Sequence, residues 1–156
     1  MVVNRSAAPG PVVPTLIYAD VGQAIAWLCE TFGFTECFRY GPEGHPVGAQ
    51  IAVGKGSVSL SVTRAGQSPE WADYAELRPP RPNEVTHVVE VRVEDVDQHC
   101  EQARRRGARI LNPPETYPFG ERQYTAEDLG GHRWTFTQSV ADVTPEEWGG
   151  KPATPR

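Results

Sequence analysis

The side chains best suited to chemistry are the four histidines and three cysteines, and their spacing matches no catalytic motif. They are His45, His87, His99, His132, Cys29, Cys37 and Cys100. Imidazoles act as general bases and metal ligands, whereas thiolates act as nucleophiles and soft metal ligands. The sequence contains no CxxC pair, no G-x-S-x-G turn and no phosphate-binding glycine loop. These residues alone predict neither a nucleophilic enzyme nor a thiolate metal site.

The elements that must position any site come from a repeat of one unit. Asp20 and Asp95 each begin an Asp-Val-x-Gln segment, which is followed by a helical pattern and a closing glycine. Short apolar runs flank each copy, and the offset is about 75 residues, roughly half the chain. The sequence therefore predicts an α+β fold of two tandem βαβββ modules, residues 12–63 and 85–140, with helices at about 21–32 and 96–106.

Three further segments are predicted outside the modules. Residues 1–11 read as a flexible tail, and residues 141–156 read as a C-terminal tail with a short helix that begins after Thr144. Residues 64–84 are polar and rich in proline, and they form the predicted inter-module linker. The linker carries Trp71 and Tyr74. Its middle either lies across the mouth of a cavity or merely pins the linker to the surface.

Composition excludes several classes of partner. The chain has 156 residues and a formal net charge of −5, without a basic block, so nucleic acid is not an expected partner. No apolar run approaches the roughly 20 residues needed to span a bilayer, so no membrane is expected. The N-terminus has no apolar leader, and the odd number of cysteines favours a reducing compartment. We expect a cytoplasmic protein.

The repeated modules, both Asp-Val-x-Gln starts, the Phe-Gly-Phe at 32–34 and the segment EDLGGHRWTF at 127–136 resemble a known family. The chain is similar over about residues 12–140 to the vicinal oxygen chelate superfamily, which includes glyoxalase I, bleomycin-resistance proteins, fosfomycin-resistance transferases and extradiol dioxygenases. It most resembles the bleomycin-resistance-like branch. The resemblance implies paired modules that curl into a cupped mixed sheet, a homodimer, and a ligand or metal inside the cup.

The metal ligands expected from this resemblance are missing. Family enzymes take His or Glu ligands from the first and fourth strands of the modules. The matching positions here are Val13, Leu60, Val88 and Thr135. None of them supplies an imidazole or a carboxylate, so we expect no metal and no cofactor. His87 lies one residue from the expected place, and a shift of one residue turns a strand side chain to the opposite face.

Counting along the strands from those family positions predicts what lines the cup instead. Thr15, Glu90, Arg133 and Thr135 share the predicted face. The strand at 119–126 contributes either Arg122 and Tyr124 or Gln123 and Thr125, because its register is left open. We take the predicted ligand-binding set to be Thr15, Trp71, Glu90, Phe119, Arg122, Tyr124, Arg133 and Thr135. In a second interpretation, Glu90 forms a structural ion pair with Arg92 or Arg133.

Three functions follow from these expectations. The first is a glyoxalase/bleomycin-resistance-like protein that binds a small, partly planar organic molecule in a metal-free cup, by sequestration. The second is a lyase, isomerase or dioxygenase of the glyoxalase type, acting on a small carbonyl or aromatic substrate. The third is an interaction protein whose cavity has degenerated. The identity of the ligand is not encoded in these residues.

Overall fold

Two copies of a βαβββ unit follow one another along the chain. The computed structural model describes residues 2–8, 10–63 and 77–153. The first unit comprises β1 (Thr15–Tyr18), α1 (Val21–Phe32), β2 (Thr35–Tyr40), β3 (Gly48–Val53) and β4 (Gly56–Val62). The second comprises β5 (Val88–Arg92), α2 (Val96–Arg105), β6 (Arg109–Thr116), β7 (Glu121–Glu127) and β8 (Arg133–Ser139). The predicted α+β fold of two tandem βαβββ modules is confirmed.

Each module forms its own four-stranded mixed sheet. The strand order is β1-β4-β3-β2 in the first module and β5-β8-β7-β6 in the second. In each sheet the first strand runs parallel to the fourth, and the remaining neighbours are antiparallel. The parallel pair needs a crossover connection, and the helix after the first strand begins it. Within the described ranges, no helix is long and apolar enough to cross a bilayer.

Both helices begin at the aspartates that the repeat identified. The Asp20 carboxylate accepts a hydrogen bond from the Gln23 backbone N–H, and Asp95 does the same for Gln98, each at 2.9 Å. These bonds satisfy N–H groups that have no partner within the helix. Helix α1 ends at Gly33, whose φ of 73° is in the left-handed region that glycine adopts without strain. The helix bounds agree with the prediction to within one residue.

One of the two edge strands of each sheet is irregular. Strand β2 has a shift in register between Glu36 and Phe38, so a bulge interrupts its pairing with β3. Strand β6 has two such shifts along its pairing with β7, and it contains Pro113 and Pro114. Strand β6 is nevertheless eight residues long. The observed strand continues to Thr116 because an outer strand tolerates prolines, which lack the N–H of an interior ladder.

The helix-covered faces of both sheets share one hydrophobic core. Phe32, the last residue of α1, lies where the modules meet. Its ring centroid is 5.6 Å from Phe34, 5.8 Å from Trp134 and 4.8 Å from Phe136. The ring of His99 from α2 stacks on it at 6.3 Å. Aromatic rings from both modules therefore contact one side chain, which joins the two halves of the core.

A buried carboxylate also joins the modules, and we call it the Asp128 junction. Oδ2 of Asp128 accepts hydrogen bonds from the Tyr18 hydroxyl at 2.6 Å and from Trp134 Nε1 at 2.9 Å. Oδ1 accepts the backbone N–H groups of Gly130 and His132, at 2.9 and 3.0 Å. Burial, followed by the nearby carboxylate, raises the pKa of Tyr18 well above its ordinary value, so the hydroxyl stays a donor.

The C-terminal segment packs against the turn that precedes β7. The predicted short helix is a 3-10 turn over Pro145–Trp148, and the Thr144 N–H donates to the Glu147 carboxylate at 2.7 Å. The Trp148 ring meets the edge of Phe119, 5.9 Å away. Much of the predicted linker, residues 64–76, lies outside the described residues. The description resumes at Leu77.

Candidate ligand-binding site

Side chains along β5 point alternately into the core and toward the face of the second sheet that the helices do not cover. Val89 and Val91 pack toward the core beneath the helices. Val88, Glu90 and Arg92 are exposed on the opposite side. Successive residues of a strand point to opposite faces, so the apolar pair determines where the polar pair lies. Glu90 therefore projects away from the helices, as the parity argument predicted.

The neighbouring strand β8 extends the same face. Trp134 and Phe136 are fully buried in the core. Arg133, Thr135 and Thr137 lie on the other side of the strand. The parallel register places three pairs side by side, namely Val88 with Arg133, Glu90 with Thr135 and Arg92 with Thr137. Three of the predicted site residues, Glu90, Arg133 and Thr135, are thus brought together on one surface.

Strand β7 takes the register that contributes Gln123 and Thr125. Gln123 Nε2 donates to the Thr137 hydroxyl at 3.3 Å, and the hydroxyls of Thr125 and Thr135 lie 3.2 Å apart. These cross-strand bonds hold a row of polar side chains in fixed positions. We call this surface the open face; it comprises Val88, Glu90, Arg92, Glu121, Gln123, Thr125, Arg133, Thr135 and Thr137.

Arg122 and Tyr124, the alternative pair, lie on the helix-covered side instead. The Arg122 guanidinium binds both carboxylate oxygens of Asp97 on α2, at 2.7 and 2.8 Å. The Tyr124 ring is buried and stacks on Phe136 with centroids 5.0 Å apart. The structure therefore separates these two residues from the open face, because α2 supplies the carboxylate and the core accepts the ring.

The Tyr124 hydroxyl is held by a histidine within the core. His99 Nε2 lies 3.0 Å from the Phe32 carbonyl oxygen, which can only accept, so Nε2 carries the proton. His99 Nδ1 then accepts the hydrogen bond from the Tyr124 hydroxyl at 2.7 Å. Burial lowers the pKa of His99 and raises that of Tyr124, and this keeps both groups neutral. The hydrogen bonds of this pair lie on the helix-covered side of the sheet, away from the open face.

Charge at one end of the open face is neutralised internally. The Glu121 carboxylate accepts hydrogen bonds from Arg92 at 2.9 Å and from the Ser139 hydroxyl at 2.7 Å, as well as from Thr137. Burial alone would raise the pKa of Glu121, but these three donors outweigh it and lower the pKa. Sequence reasoning missed this cluster, and no motif marks it, because it depends on the register between β7 and β8.

Two charged groups on the open face, Glu90 in the middle of β5 and Arg133 at the start of β8, have no such partner. Arg92, which the sequence offered as a partner of Glu90, binds Glu121 instead. Within the described residues, neither Glu90 nor Arg133 forms an ion pair, and the buried Arg133 Nε has no hydrogen-bond acceptor. A buried donor without an acceptor costs about 1–3 kcal/mol. Glu90 therefore does not form the structural ion pair with Arg92 or Arg133 that the sequence suggested.

The remaining predicted site residues do not join the open face. Thr15 lies on β1, beside Ser59 of the first sheet, and lines a separate cleft between the modules. Phe119 precedes β7 and stacks on Tyr117 with centroids 5.3 Å apart. Trp71 and Tyr74 lie outside the described residues.

The positions that hold metal in related enzymes carry unsuitable side chains here. Leu60, which counting from the glycine turn assigned to the cup, is buried in the core, and Ser59 takes the outward position beside Thr15. His87 is exposed, and its ring centroid lies 6.2 Å from that of the buried His132. Among the described residues, no group of three or more His, Cys, Asp or Glu side chains could hold a metal ion. The residues present do not fit a divalent ion.

We expect the melting temperature of the protein to be unchanged in excess EDTA. The outward positions Val13, Ser59, Val88 and Thr135 offer no imidazole, carboxylate or thiolate, so chelation removes nothing that supports folding. Differential scanning fluorimetry and elemental analysis after dialysis measure this. Stoichiometric Zn, Ni, Mn or Fe that is lost in the His87→Ala variant would contradict the prediction.

Solved structures with the same fold exist. TioX from Micromonospora sp. ML1 is 30% identical, with a TM-score of 0.66, and the match covers 84% of this chain and 99% of TioX. A glyoxalase/bleomycin resistance protein/dioxygenase from Nocardioides is 20% identical, with a TM-score of 0.64, over 97% of this chain and 93% of its own. The second likeness concerns the fold alone.

Sequence comparison leads to the same family. An uncharacterized protein of Mycobacterium bovis is 25% identical over 135 residues, which is 86% of each chain. The family model described as Glyoxalase/Bleomycin resistance protein/Dioxygenase superfamily matches residues 10–136. That match spans both modules, all of the open face on β5 and β7, and most of β8. The chain belongs to the glyoxalase/bleomycin resistance protein/dioxygenase superfamily.

Proposed function

We propose that this protein binds a small organic molecule on the open face, without a metal, and acts by sequestration. The observation that carries the proposal is the half-buried Arg133 guanidinium, which has no ion-pair partner among the described residues. A ligand with a carbonyl or carboxylate oxygen would pair with this guanidinium through a charge-assisted hydrogen bond. Glu90 and Thr135, beside it, offer acceptor and hydroxyl groups to the rest of the ligand.

The surroundings of the open face suit a ligand of moderate size. Glu90 and Arg92 also line a cleft of about 760 Å³ between β5 and the β3–β4 hairpin, to which Lys55 contributes. Small-molecule sites combine apolar walls with a few convergent polar groups, and clefts of about 300–1,000 Å³ are typical. Val12 and Pro14 supply apolar walls here.

The catalytic alternative has less support. A lyase, isomerase or dioxygenase of the glyoxalase type uses a metal to polarise its substrate. The side chains at the corresponding positions cannot ligate one. Among the residues of the open face, Glu90 has no histidine or tyrosine with which to share acid and base roles.

The assembly and location belong to the same proposal. A second copy of the chain would cover the open face, where Val88 has 49% of its surface exposed, and would complete the cup as a homodimer. All three cysteines are unpaired, which supports the reducing cytoplasm as the location. The expected partner is a small molecule, rather than nucleic acid or a membrane.

We expect Arg133→Ala to weaken ligands that bear a carboxylate or carbonyl group by about 10- to 100-fold. A hydrogen bond to a charged group contributes about 1.5–3 kcal/mol, and tenfold in affinity corresponds to about 1.4 kcal/mol. A thermal-shift screen on the wild type identifies hits, and calorimetry on both proteins measures the dissociation constants. The melting temperature without ligand should change little, since Arg133 forms no ion pair with any residue that the structure describes.

Two further variants make this test specific. Glu90→Gln should alter which hits bind best while leaving stability nearly unchanged, because an exposed carboxylate supports little structure. Arg105→Ala is the matched control: Arg105 is an exposed arginine on α2 that forms an ion pair with Glu101. Hits that bind the wild type, Arg133→Ala and Glu90→Gln equally well would place the binding elsewhere and refute the proposal.

A further inference from the structure

The first strand of the second module leaves one edge of its backbone without a neighbouring strand. Strand β5 stands at the end of its sheet, and among the described residues it pairs only with β8. Its residues pair one to one with those of β8, so the strand carries no bulge, and it contains no proline. Register shifts interrupt the edge strands β2 and β6, whereas the edge at β5 is regular.

Alternation along the backbone determines which residues of β5 offer hydrogen bonds at this edge. The Val93 N–H, just past the strand, donates to the Thr137 carbonyl oxygen of β8 at 2.9 Å. In an extended strand the N–H and C=O of one residue point to the same side, and those of the next residue point to the other side. Val91 and Val93 therefore bond to β8, and Glu90 and Arg92 direct their N–H and C=O groups away from it.

The cleft of about 760 Å³ runs along this edge. Every residue from Val89 to Glu94 lines it. A cleft over one face of a strand touches only alternate residues, so an unbroken run of lining residues places this cleft beside the backbone. Across the cleft lie the β3–β4 hairpin and the residues that precede β1, which contribute Val12, Pro14 and Val53. The space therefore has a hydrogen-bonding edge on one side and apolar side chains on the other.

The charges in the cleft do not balance. The Arg92 guanidinium is neutralised by Glu121, which lies 2.9 Å away. The remaining charged groups of the lining are the carboxylates of Glu90 and Glu94 and the ammonium of Lys55. Opposite charges on neighbouring strands attract, so a strand that lies in this cleft is favoured by a basic side chain beside Glu90.

We propose that the edge of β5 binds an extended peptide, which adds to the second sheet as a fifth strand. The peptide exchanges backbone hydrogen bonds with Glu90 and Arg92, which gives affinity. Its alternate side chains give specificity, with apolar groups toward Val89 and Val53 and a basic group beside Glu90. The peptide shares Glu90 and the cleft with the proposed small molecule. It does not need Arg133, which is not part of the lining, so the two proposals can fail separately.

Amide hydrogen exchange in the presence of a synthetic peptide tests the proposal. The probe is acetyl-Thr-Val-Lys-Val-Thr-amide, which as a strand has its lysine on one face and both valines on the other. In the free protein we expect the amides of Glu90 and Arg92 to exchange faster than that of Val91, which bonds to β8. Saturating peptide should slow Glu90 and Arg92 by about tenfold or more and leave Val91 unchanged. Edge amides that are already protected in the free protein, or that stay fast at millimolar peptide, overturn the proposal.

Two substitutions of one residue separate the backbone from the side chain. Glu90→Pro removes an N–H that faces the cleft and leaves the bonds to β8 in place, so the strand should still form. Glu90→Ala keeps that N–H and loses only the carboxylate. We expect Glu90→Pro to abolish peptide binding and Glu90→Ala to weaken it by less than about tenfold. Circular dichroism checks that both variants fold. Equal affinities of the two folded variants would show that the backbone edge does not bind the peptide.

A pair of modified peptides makes the same test on the unchanged protein. N-methylation at the lysine removes the donor that faces β5 if the peptide runs antiparallel, and N-methylation at both valines removes it if the peptide runs parallel. We expect at least one of these peptides to bind about tenfold more weakly than the parent peptide, because it loses backbone hydrogen bonds. If both bind as tightly as the parent, the peptide does not add as a strand and the proposal is wrong.

Discussion

Replacing Asp128 by alanine is expected to lower the free energy of unfolding by about 4 kcal/mol. The variant leaves the Tyr18 hydroxyl and Trp134 Nε1 without an acceptor in the core, and each buried, unsatisfied donor costs about 1–3 kcal/mol. The backbone N–H groups of Gly130 and His132 also lose their acceptor. Urea unfolding measures the change. The melting temperature should fall by about 10 °C, at about 2–4 °C per kcal/mol.

Two comparisons show whether the junction causes the loss. Tyr18→Phe removes one donor and leaves three, so it should cost about 1–2 kcal/mol. Asp142→Ala removes an exposed aspartate and should cost less than about 0.5 kcal/mol. If Asp128→Ala were as stable as Asp142→Ala, the four hydrogen bonds would not contribute to folding as described.

Replacing Phe32 by alanine should lower the free energy of unfolding by about 3–5 kcal/mol. The side chain is 3% exposed and contacts aromatic rings from both modules, so its removal leaves a cavity where the two halves of the core meet. Circular dichroism follows the backbone, and tryptophan fluorescence follows the surroundings of the four tryptophans, which include the buried Trp134. Both transitions should move to lower urea concentration together.

The control for Phe32 is Phe38, an exposed phenylalanine on the outer strand of the first sheet. Phe38 is 39% exposed and lies outside the core, so Phe38→Ala should cost under about 1 kcal/mol. Two separate transitions in Phe32→Ala would mean that the modules unfold independently. That outcome would contradict a single core shared between them.

The helices and the module order could be predicted because local signals agreed with one another. Asp20 and Asp95 cap their helices through their own side chains, and Gly33 ends the first helix through its own backbone. Such signals act within four residues and need no information about the rest of the fold. The repeat then placed strands on either side. Fold and family membership followed from sequence for this reason.

The site was harder to predict because the strand at 121–127 carries polar residues on both faces. Arg122 and Gln123 are both hydrophilic, so alternation gives no contrast between inside and outside. The face to which Arg122 points depends on Asp97 of α2, which lies 25 residues away in sequence and binds the Arg122 guanidinium. Tyr124 is apolar enough to be buried once His99 satisfies its hydroxyl. Long-range partners of this kind are invisible to a local pattern.

Two other features escaped sequence reasoning for different reasons. Leu60 was assigned to the cup by counting from a glycine, but the β3–β4 hairpin places Ser59 beside Thr15, one residue earlier. A one-residue difference in a turn moves every side chain of the following strand to the opposite face of the sheet. Asp128 was missed because its donors come from β1, β8 and its own turn. An aspartate before two glycines signals only a turn.

The irregular outer strands bear on how copies of the protein can associate. A free strand edge is a template on which another chain can add a strand, and this leads to domain swapping or fibrils. The bulge at Cys37 and the pair Pro113–Pro114 interrupt the edges formed by β2 and β6, and proline has no N–H to offer an incoming strand. Self-association should therefore use the faces of the sheets rather than extend them at these edges, and concentrated solutions should resist amyloid-like growth there.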